Sequence, residues 1–489
     1  MSIHLSESHL FKAPATSHFV GGRWIASQEA LDVQTPASNA VIRRIARGSE
    51  PEVDAAVNAA RSALEGPWGQ MSATQRGRLL VQLSERILAD LDRLAWVEAQ
   101  DTGKPISLAR SDIRVLARYF EFYGSGADKV PGQVIPFEEG YSASVVRVPH
   151  GVTAHIVPWN NPAQMFGRSV APALAMGNAA VVKPAEDACL TSLEIAEAAR
   201  ELGLPAGALN VVTGLGHEAG AALTAHPGID YISFTGSPEV GTLVQQAAAV
   251  NHVAVCLELG GKSPQIVFDD ADLHKAAATV VKAITQNAGQ TCSAGSRVLI
   301  QHSIFDRFTA MLADGFGKLR LGEPSQDADL GPVINRRQML RVEQFVERAK
   351  GSGVPLICRT PLGEGLPPDG HYVAPALFGP VPRDHELARE EVFGPVLAAI
   401  PFDDEADAVA LANSTDYALV AAVWTRDGDR QARMAKKVDA GQFFINCYGA
   451  GGGVELPFGG NRKSGHGREK GWLALEEFST TKTVVHYHG

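Results

Sequence analysis

From Gly151 onward, short apolar runs rich in Val, Ile and Ala alternate with stretches of helical periodicity, and this alternation restricts the chain more than any other feature. Residues 152–157, 179–183, 210–213, 231–234 and 253–257 read as strands, with helical patterns at 190–202 and 239–249 between some of them. Strands joined through helices form βαβ units and a largely parallel sheet, an architecture suited to nucleotides. A second alternation starts at 265–268, passes through a helical pattern at 273–284 and reaches strand-like 298–301. The fold class is therefore α/β, with two such domains.

Ahead of this lies helical sequence. Ser49 and Glu52 have capping-box spacing, with Pro51 in the first turn and an Ala-rich run behind it, predicting a helix to about Leu64. Ser72 and Gln75 repeat the signature. Leu80, Leu83, Ile87, Leu91 and Leu94 then recur at helical period until Gly103 and Pro105, predicting one long amphipathic helix. The Gly- and Pro-rich stretch 363–370 reads as a surface loop, and the tail 478–487 is β-prone and suited to pairing with another chain.

Composition excludes several classes. The 489 residues are 45% hydrophobic and 20% charged, ordinary for a folded globular chain. Lys and Arg total 44 against 54 Asp and Glu, net −10, without a basic run for nucleic acid or anionic lipid. The five cysteines lack C-x-x-C spacing, which suggests reduced cytosolic thiols and neither a disulfide framework nor a metal cluster. Residues 1–18 have neither a cationic start nor a continuous apolar stretch, and no segment approaches the roughly 18 apolar residues of a membrane span. The expectation is a cytoplasmic protein.

Two segments carry chemistry. Asn287-Ala288-Gly289-Gln290-Thr291-Cys292-Ser293 sets a cysteine among small polar residues just beyond a predicted helix. A lone cysteine is ordinarily a small core hydrophobe. Leu257-Glu258-Leu259-Gly260-Gly261-Lys262 ends an apolar strand on a carboxylate, costly there unless paired or used, beside glycines that let backbone pass close by. Glu258 is thus a candidate general base or a salt-bridged strand end.

Together these segments resemble the aldehyde dehydrogenase superfamily. The match extends, in the family's order, through Pro158-Trp159-Asn160-Asn161-Pro162, Gly177-Asn178, Lys183-Pro184-Ala185-Glu186, Phe234-Thr235-Gly236-Ser237, Glu391-Val392-Phe393-Gly394-Pro395, Pro457-Phe458-Gly459-Gly460 and Lys463-Ser464-Gly465. The resemblance implies that Cys292 attacks an aldehyde as thiolate, that Asn160 and the Cys292 N–H form the oxyanion hole, and that Glu258 is the base. A thiohemiacetal would give hydride to the nicotinamide, and water activated by Glu258 would release the acid. An oxyanion donor of this kind is typically worth roughly 3 kcal/mol.

Gly236-Ser237-Pro238-Glu239-Val240-Gly241 departs from the G-x-G-x-x-G fingerprint. By resemblance, Gly236 and Ser237 begin a helix beside the pyrophosphate, Lys183 and Glu186 hold the adenosine ribose, and Glu391 and Phe393 grip the nicotinamide end. Val157, Pro158, Trp159, Gly216, Gly220, Phe234, Thr235 and Leu259 complete the implied cofactor contacts. A carboxylate at Glu186 would repel a 2′-phosphate, favouring NAD, with NADP as the second choice. No metal is implied.

Arg168 occupies a position where succinic-semialdehyde-type relatives use Arg to bind the far carboxylate of the substrate; alternatively it belongs to a structural ion pair. Asn161 replaces the family's usual Phe or Tyr, and 449–454 is unusually glycine-rich, suggesting a wider or more polar tunnel. The expected substrate is a small carboxylated semialdehyde or an aromatic aldehyde. A CoA-acylating dehydrogenase and a cofactor-free thiol hydrolase are the competing readings. The resemblance further implies a Rossmann-like NAD domain (1–125 and 149–258), a second α/β catalytic domain (259–466) and a small β oligomerisation arm (126–148 and 467–489), hence a homodimer or homotetramer.

Overall fold

The computed structural model describes residues 10–449 and 453–489; within the glycine-rich run, 450–452 lie outside the described residues, as do 1–9 of the N-terminal stretch. Two sheets dominate. The first has eight strands in the order Arg23–Ala26, Ser17–Val20, Leu209–Val211, Ala179–Pro184, Val152–Val157, Tyr231–Thr235, Ala254–Glu258 and Gly465–His466. Its five central strands are parallel and the flanking ones antiparallel. The Rossmann-like expectation holds: after Val152–Val157 the chain builds outward through Ala179–Pro184, then returns to the other side through Tyr231–Thr235. The order of strands thus reverses at Val152–Val157, which opens a crevice at the carboxyl ends there.

Strands buried on both faces must be apolar throughout, and Ala179–Pro184 is buried along its whole length. The covering helices supply the complementary faces: Pro162–Ala175 buries Phe166, Val170 and Leu174, and the Ala73–Ala89 helix buries Leu80, Leu83 and Ile87. The single long helix expected over 72–103 is in fact two, Ala73–Ala89 and Leu91–Thr102, broken at Asp90. The Asp90 carboxylate accepts from Lys12 Nζ at 2.8 Å and Arg93 Nε at 2.9 Å. Asp90 is thus held at the break by the local Arg93 and by Lys12 from far away in sequence, whereas the apolar spacing runs through it undisturbed.

The second sheet has seven strands in the order Leu356–Arg359, Ala376–Phe378, Val396–Phe402, Arg297–Gln301, Pro264–Val267, Val420–Trp424 and Gln442–Ile445. Its two faces carry separate apolar cores, one around Phe345, Val346 and Phe402 and the other around Val280, Phe308 and Leu312. The loop at 363–370 carries no regular structure beyond turns, as expected.

The tail forms the strand Ser479–Tyr487. It pairs antiparallel with Tyr141–Pro149 of its own chain, Tyr487 opposite Tyr141, and Gln133–Ile135 completes a three-stranded ribbon. Among the described residues no helix is long and apolar enough to cross a membrane.

Candidate active site

The loops at the carboxyl end of the first sheet bring most of the expected residues together. Asn160 follows Val152–Val157 and stands just before the Pro162–Ala175 helix, whose Pro162 takes an N-terminal position where a missing N–H costs nothing. Its side chain is buried, with Nδ2 donating to the Gln290 carbonyl at 3.0 Å. Its backbone carbonyl accepts from Asn287 Nδ2 at 2.8 Å and from Lys104 Nζ at 3.2 Å. Asn161 Oδ1 also accepts from Lys104 Nζ, at 3.2 Å.

Cys292 sits in the loop that follows the Leu273–Thr285 helix. That helix runs into a short 3₁₀ turn, Gln286–Gly289, where Asn287 and Ala288 both have φ of 52° and Gly289 has 74°. Left-handed Ala costs roughly 1–2 kcal/mol, so the turn must be held from outside. Asn287 and Gln290 hold it: Gln290 Nε2 donates to the Asn287 carbonyl at 3.1 Å, and Gln290 Oε1 accepts from the Ile334 N–H at 2.9 Å. A side chain at Gly289 would collide with the Gly394–Pro395 backbone. The half-buried thiol packs beside Leu419, Val420 and Phe458, with Phe444 and Tyr448 in the same cluster.

Glu258 closes its strand as expected, and its side chain is only 2% exposed. Burial pushes its carboxyl up to about 8; Arg168 opposes that shift and Glu469 reinforces it. Burial likewise pushes the Cys292 thiol up to about 12, against the field of Arg168 and with those of Glu258 and Glu391. Glu258 and Cys292 therefore share one electrostatic neighbourhood, and the resting thiol is protonated near neutral pH.

Arg168, one turn and a half into its helix, lies between two carboxylates: Glu258 at 3.1 Å and Glu469 at 2.5 Å. Of the two roles open to Arg168 in the sequence, a fork for a substrate carboxylate or an ion pair within the protein, the fold shows the ion pair, with two of the protein's own acids as partners. Glu469 carried no sequence signal; it approaches from the C-terminal segment and accepts from Ser233 Oγ at 2.6 Å.

Several of the residues expected to hold a dinucleotide stand at the carboxyl ends of the same parallel strands. Lys183 Nζ donates to Glu186 Oε2 at 2.7 Å, and Glu186 Oε1 accepts from the Gly216 N–H at 3.4 Å. Added side-chain carbon would meet nothing within 4 Å at Gly216 and only Lys183 Cδ at Gly220, so these glycines border open space over the pair. A cavity of about 170 Å3 opens beside Glu186 and Leu215. Ser237 caps the Pro238–Val250 helix, accepting from the Val240 N–H, and presents the positive end of that helix after Gly236. Leu259 donates its N–H to the Ser464 carbonyl at 3.0 Å. Glu391 Oε1 accepts from the Gly261 N–H at 3.0 Å, and burial pushes this carboxyl up to about 7. Phe393, at φ 57°, meets Trp159 edge-on with ring centroids 5.4 Å apart. Among the described residues no cluster of His, Cys, Asp or Glu is arranged to hold a metal.

Comparison with known proteins decides what this arrangement belongs to. The aldehyde dehydrogenase family model matches residues 24–484. The chain belongs to the aldehyde dehydrogenase family. It is 39% identical to an aldehyde dehydrogenase of Emericella nidulans over 96% of this chain and 94% of that one. It is 36% identical to human retinal dehydrogenase 2 over 98% and 95% respectively. Among solved structures, a Burkholderia cenocepacia protein described as an aldehyde dehydrogenase superimposes with TM-score 0.96 at 57% identity, covering 97% of this chain and 100% of that one. The betaine aldehyde dehydrogenase of Staphylococcus aureus, solved with NAD+, gives TM-score 0.96 at 33% identity, covering 100% and 97%. This aldehyde dehydrogenase thus shares both fold and chain length with its relatives.

Proposed function

We propose that this aldehyde dehydrogenase oxidises a small aldehyde to its carboxylic acid, with NAD as acceptor, Cys292 as nucleophile, Asn160 as oxyanion donor and Glu258 as base. The observation that carries this reading is the convergence of Cys292, Glu258 and Asn160 at the crevice that Lys183, Glu186 and Ser237 also line. NAD fits those residues: the Glu186 carboxylate, bonded by Lys183 and the Gly216 N–H, keeps further lone pairs for ribose hydroxyls, the open space at Gly216 and Gly220 admits the adenosine end, and the helix start at Ser237 suits a pyrophosphate. A 2′-phosphate would face the Glu186 carboxylate, so NADP serves less well. Trp159, Glu391 and Phe393 are the groups for the nicotinamide end, with Val157, Pro158, Phe234, Thr235 and Leu259 forming the crevice floor.

The Cys292 thiol gives up its proton to water in the crevice, its sulfur adds to the aldehyde carbon, and the carbonyl electron pair moves onto oxygen. An amide nitrogen carries two hydrogens, so Asn160 Nδ2 bonds the Gln290 carbonyl and retains a second donor for that oxygen, beside the Cys292 N–H. Bound NAD supplies the hydride acceptor. Glu258 then takes a proton from the water that attacks the acyl carbon, the C–S bond breaks, and Cys292 leaves as thiolate with the acid formed.

Of the two substrate classes open in the sequence, an aromatic aldehyde suits the pocket better. Leu419, Phe444, Tyr448 and Phe458 surround the thiol, and the Arg168 guanidinium is engaged by Glu258 and Glu469. The exposed Val134, Phe137, Val485 and Tyr487 of the three-stranded ribbon support association into a homodimer or homotetramer.

The test is an aldehyde panel scored by NADH formation, including benzaldehyde and succinic semialdehyde, with NADP and with added CoA in parallel. NADH formation that needs NAD and is lost in Cys292→Ala is expected, with benzaldehyde turned over better than succinic semialdehyde. A requirement for CoA, or activity without NAD, overturns the reading.

A further inference from the structure

Arg168 is a cation in an apolar place. It is 2% exposed, its guanidinium carbon lies 4.5 Å above the Phe458 ring, and Nη1 donates to Met165 Sδ at 3.7 Å. A charge this deep is tolerable only with compensation. Compensation comes from two sides: Glu469 lies 2.5 Å from Nε and Glu258 lies 3.1 Å from Nη2. The two contacts are unequal. Glu469 is closer and is further tied by Ser233 Oγ, but neither contact is an aligned hydrogen bond, since Arg168 Nε, Arg168 Nη2 and both oxygens of Glu258 all lack one. Glu469, itself fixed by Ser233, is thus the nearer counter-ion that anchors the guanidinium by charge, and Glu258 is likewise held by charge without directional bonds.

We infer that Arg168, anchored by Glu469, is a positioning residue for the general base: it fixes where the Glu258 carboxylate rests and how readily that carboxylate takes a proton. The inference depends on Glu258 being the base, as proposed above. It gives this arginine a task in every turnover, whatever the substrate carries, in place of recognition of a distal carboxylate. Among the described residues, Arg468, Glu469 and Lys470 of the C-terminal segment face the pair, as do Tyr119 and Tyr123 of the Ile106–Gly126 helix, Cys292 of its loop and Cys256 of the Glu258 strand. Among them Arg168 does most to favour the ionised form of Glu258, and Glu469 opposes it. A cation at this range shifts a carboxylate by about 1 to 3 pH units.

The two jaws consequently make opposite predictions. Arg168→Met removes the cation and moves the Glu258 titration up by about 1 pH unit or more. Glu469→Gln removes a like charge, leaves Arg168 to Glu258 alone, and moves the titration down. Arg168→Lys restores part of the wild-type position. Two readouts are taken on the full chain: the pH profile of steady-state turnover, and an infrared titration of the protonated carboxyl band assigned with Glu258→Gln. The infrared titration requires no turnover, so it reports on the clamp even when the enzymatic reading fails; absence of NADH formation by wild type would overturn that reading separately. Circular dichroism identifies any unfolded variant, and Glu469→Gln and Arg168→Lys keep the cation should Arg168→Met not fold. Coincident titrations in wild type and all folded variants overturn the inference. So does a KM rise in Arg168→Lys confined to carboxylated aldehydes.

Discussion

Asn287 Nδ2 donates to the backbone carbonyl of Asn160 across 2.8 Å. The bond ties the loop that carries the Cys292 thiol to the end of the Val152–Val157 strand, and together with the bond from Asn160 Nδ2 to the Gln290 carbonyl it fixes the spacing of Cys292 and Asn160. Asn160→Ala should lower the rate of the pre-steady-state NADH burst by about 10² to 10³. Asn287→Ala, which leaves the donor present and loosens its mount, should cost less. Stopped-flow absorbance checks both.

Glu258 is pushed up to about 8 by burial. Its basic form is the minority species at neutral pH and becomes the majority above about 8. Where release of the acyl group limits turnover, the rate should therefore rise by about tenfold per pH unit below that point and level off above it. Glu258→Gln should retain the first-turnover burst, lose roughly 10² to 10⁴ in steady turnover, and show no such rise. A flat wild-type profile from pH 6 to 9 would contradict this.

The carboxylate of Glu186 bonds Lys183 and the Gly216 N–H and keeps room for ribose hydroxyls. Glu186→Gln removes the charge at similar shape. KM for NAD should rise by about tenfold to a hundredfold, the worth of a hydrogen bond to a charged group, and the preference for NAD over NADP should shrink. Parallel titrations of the two cofactors measure it.

Lys104 Nζ donates to Asp112 Oδ2 at 2.5 Å and to Glu98 Oε1 at 3.2 Å, all three side chains essentially out of solvent. Lys104→Met strands two buried carboxylates and should cost about 3 to 5 kcal/mol of stability. A lower urea midpoint at pH 7 is the expected result. The same change should slow the burst, because Lys104 also supports the Asn160 carbonyl.

Legibility of the chain follows the range of the interactions involved. The strands Val152–Val157 and Tyr231–Thr235 declared themselves because burial on both faces demands continuous apolar sequence, and Cys292, Glu258 and Asn160 because their motifs are local. The break at Asp90 is invisible in the sequence, since Ile87, Leu91 and Leu94 keep helical spacing across it while one of the partners of Asp90, Lys12, lies far away in sequence. Lys104 and Glu469 were equally silent. Each is a single charged residue whose meaning comes from partners on distant segments, and no periodicity records that. Arg168 shows the same limit from the other side: its position suggested a fork facing the pocket, and only the fold reveals which carboxylates reach it first.

Leu257 and Glu258 pair antiparallel with His466 and Gly465. Residues 259–464, the whole second sheet with its helices, thus depart from and return to adjacent strands, like a long excursion through a single doorway. A segment whose ends are neighbours can be enlarged, trimmed or exchanged over evolutionary time without restitching its host, and the carboxylate of Glu258 stands at the threshold, where both lobes must agree on its surroundings.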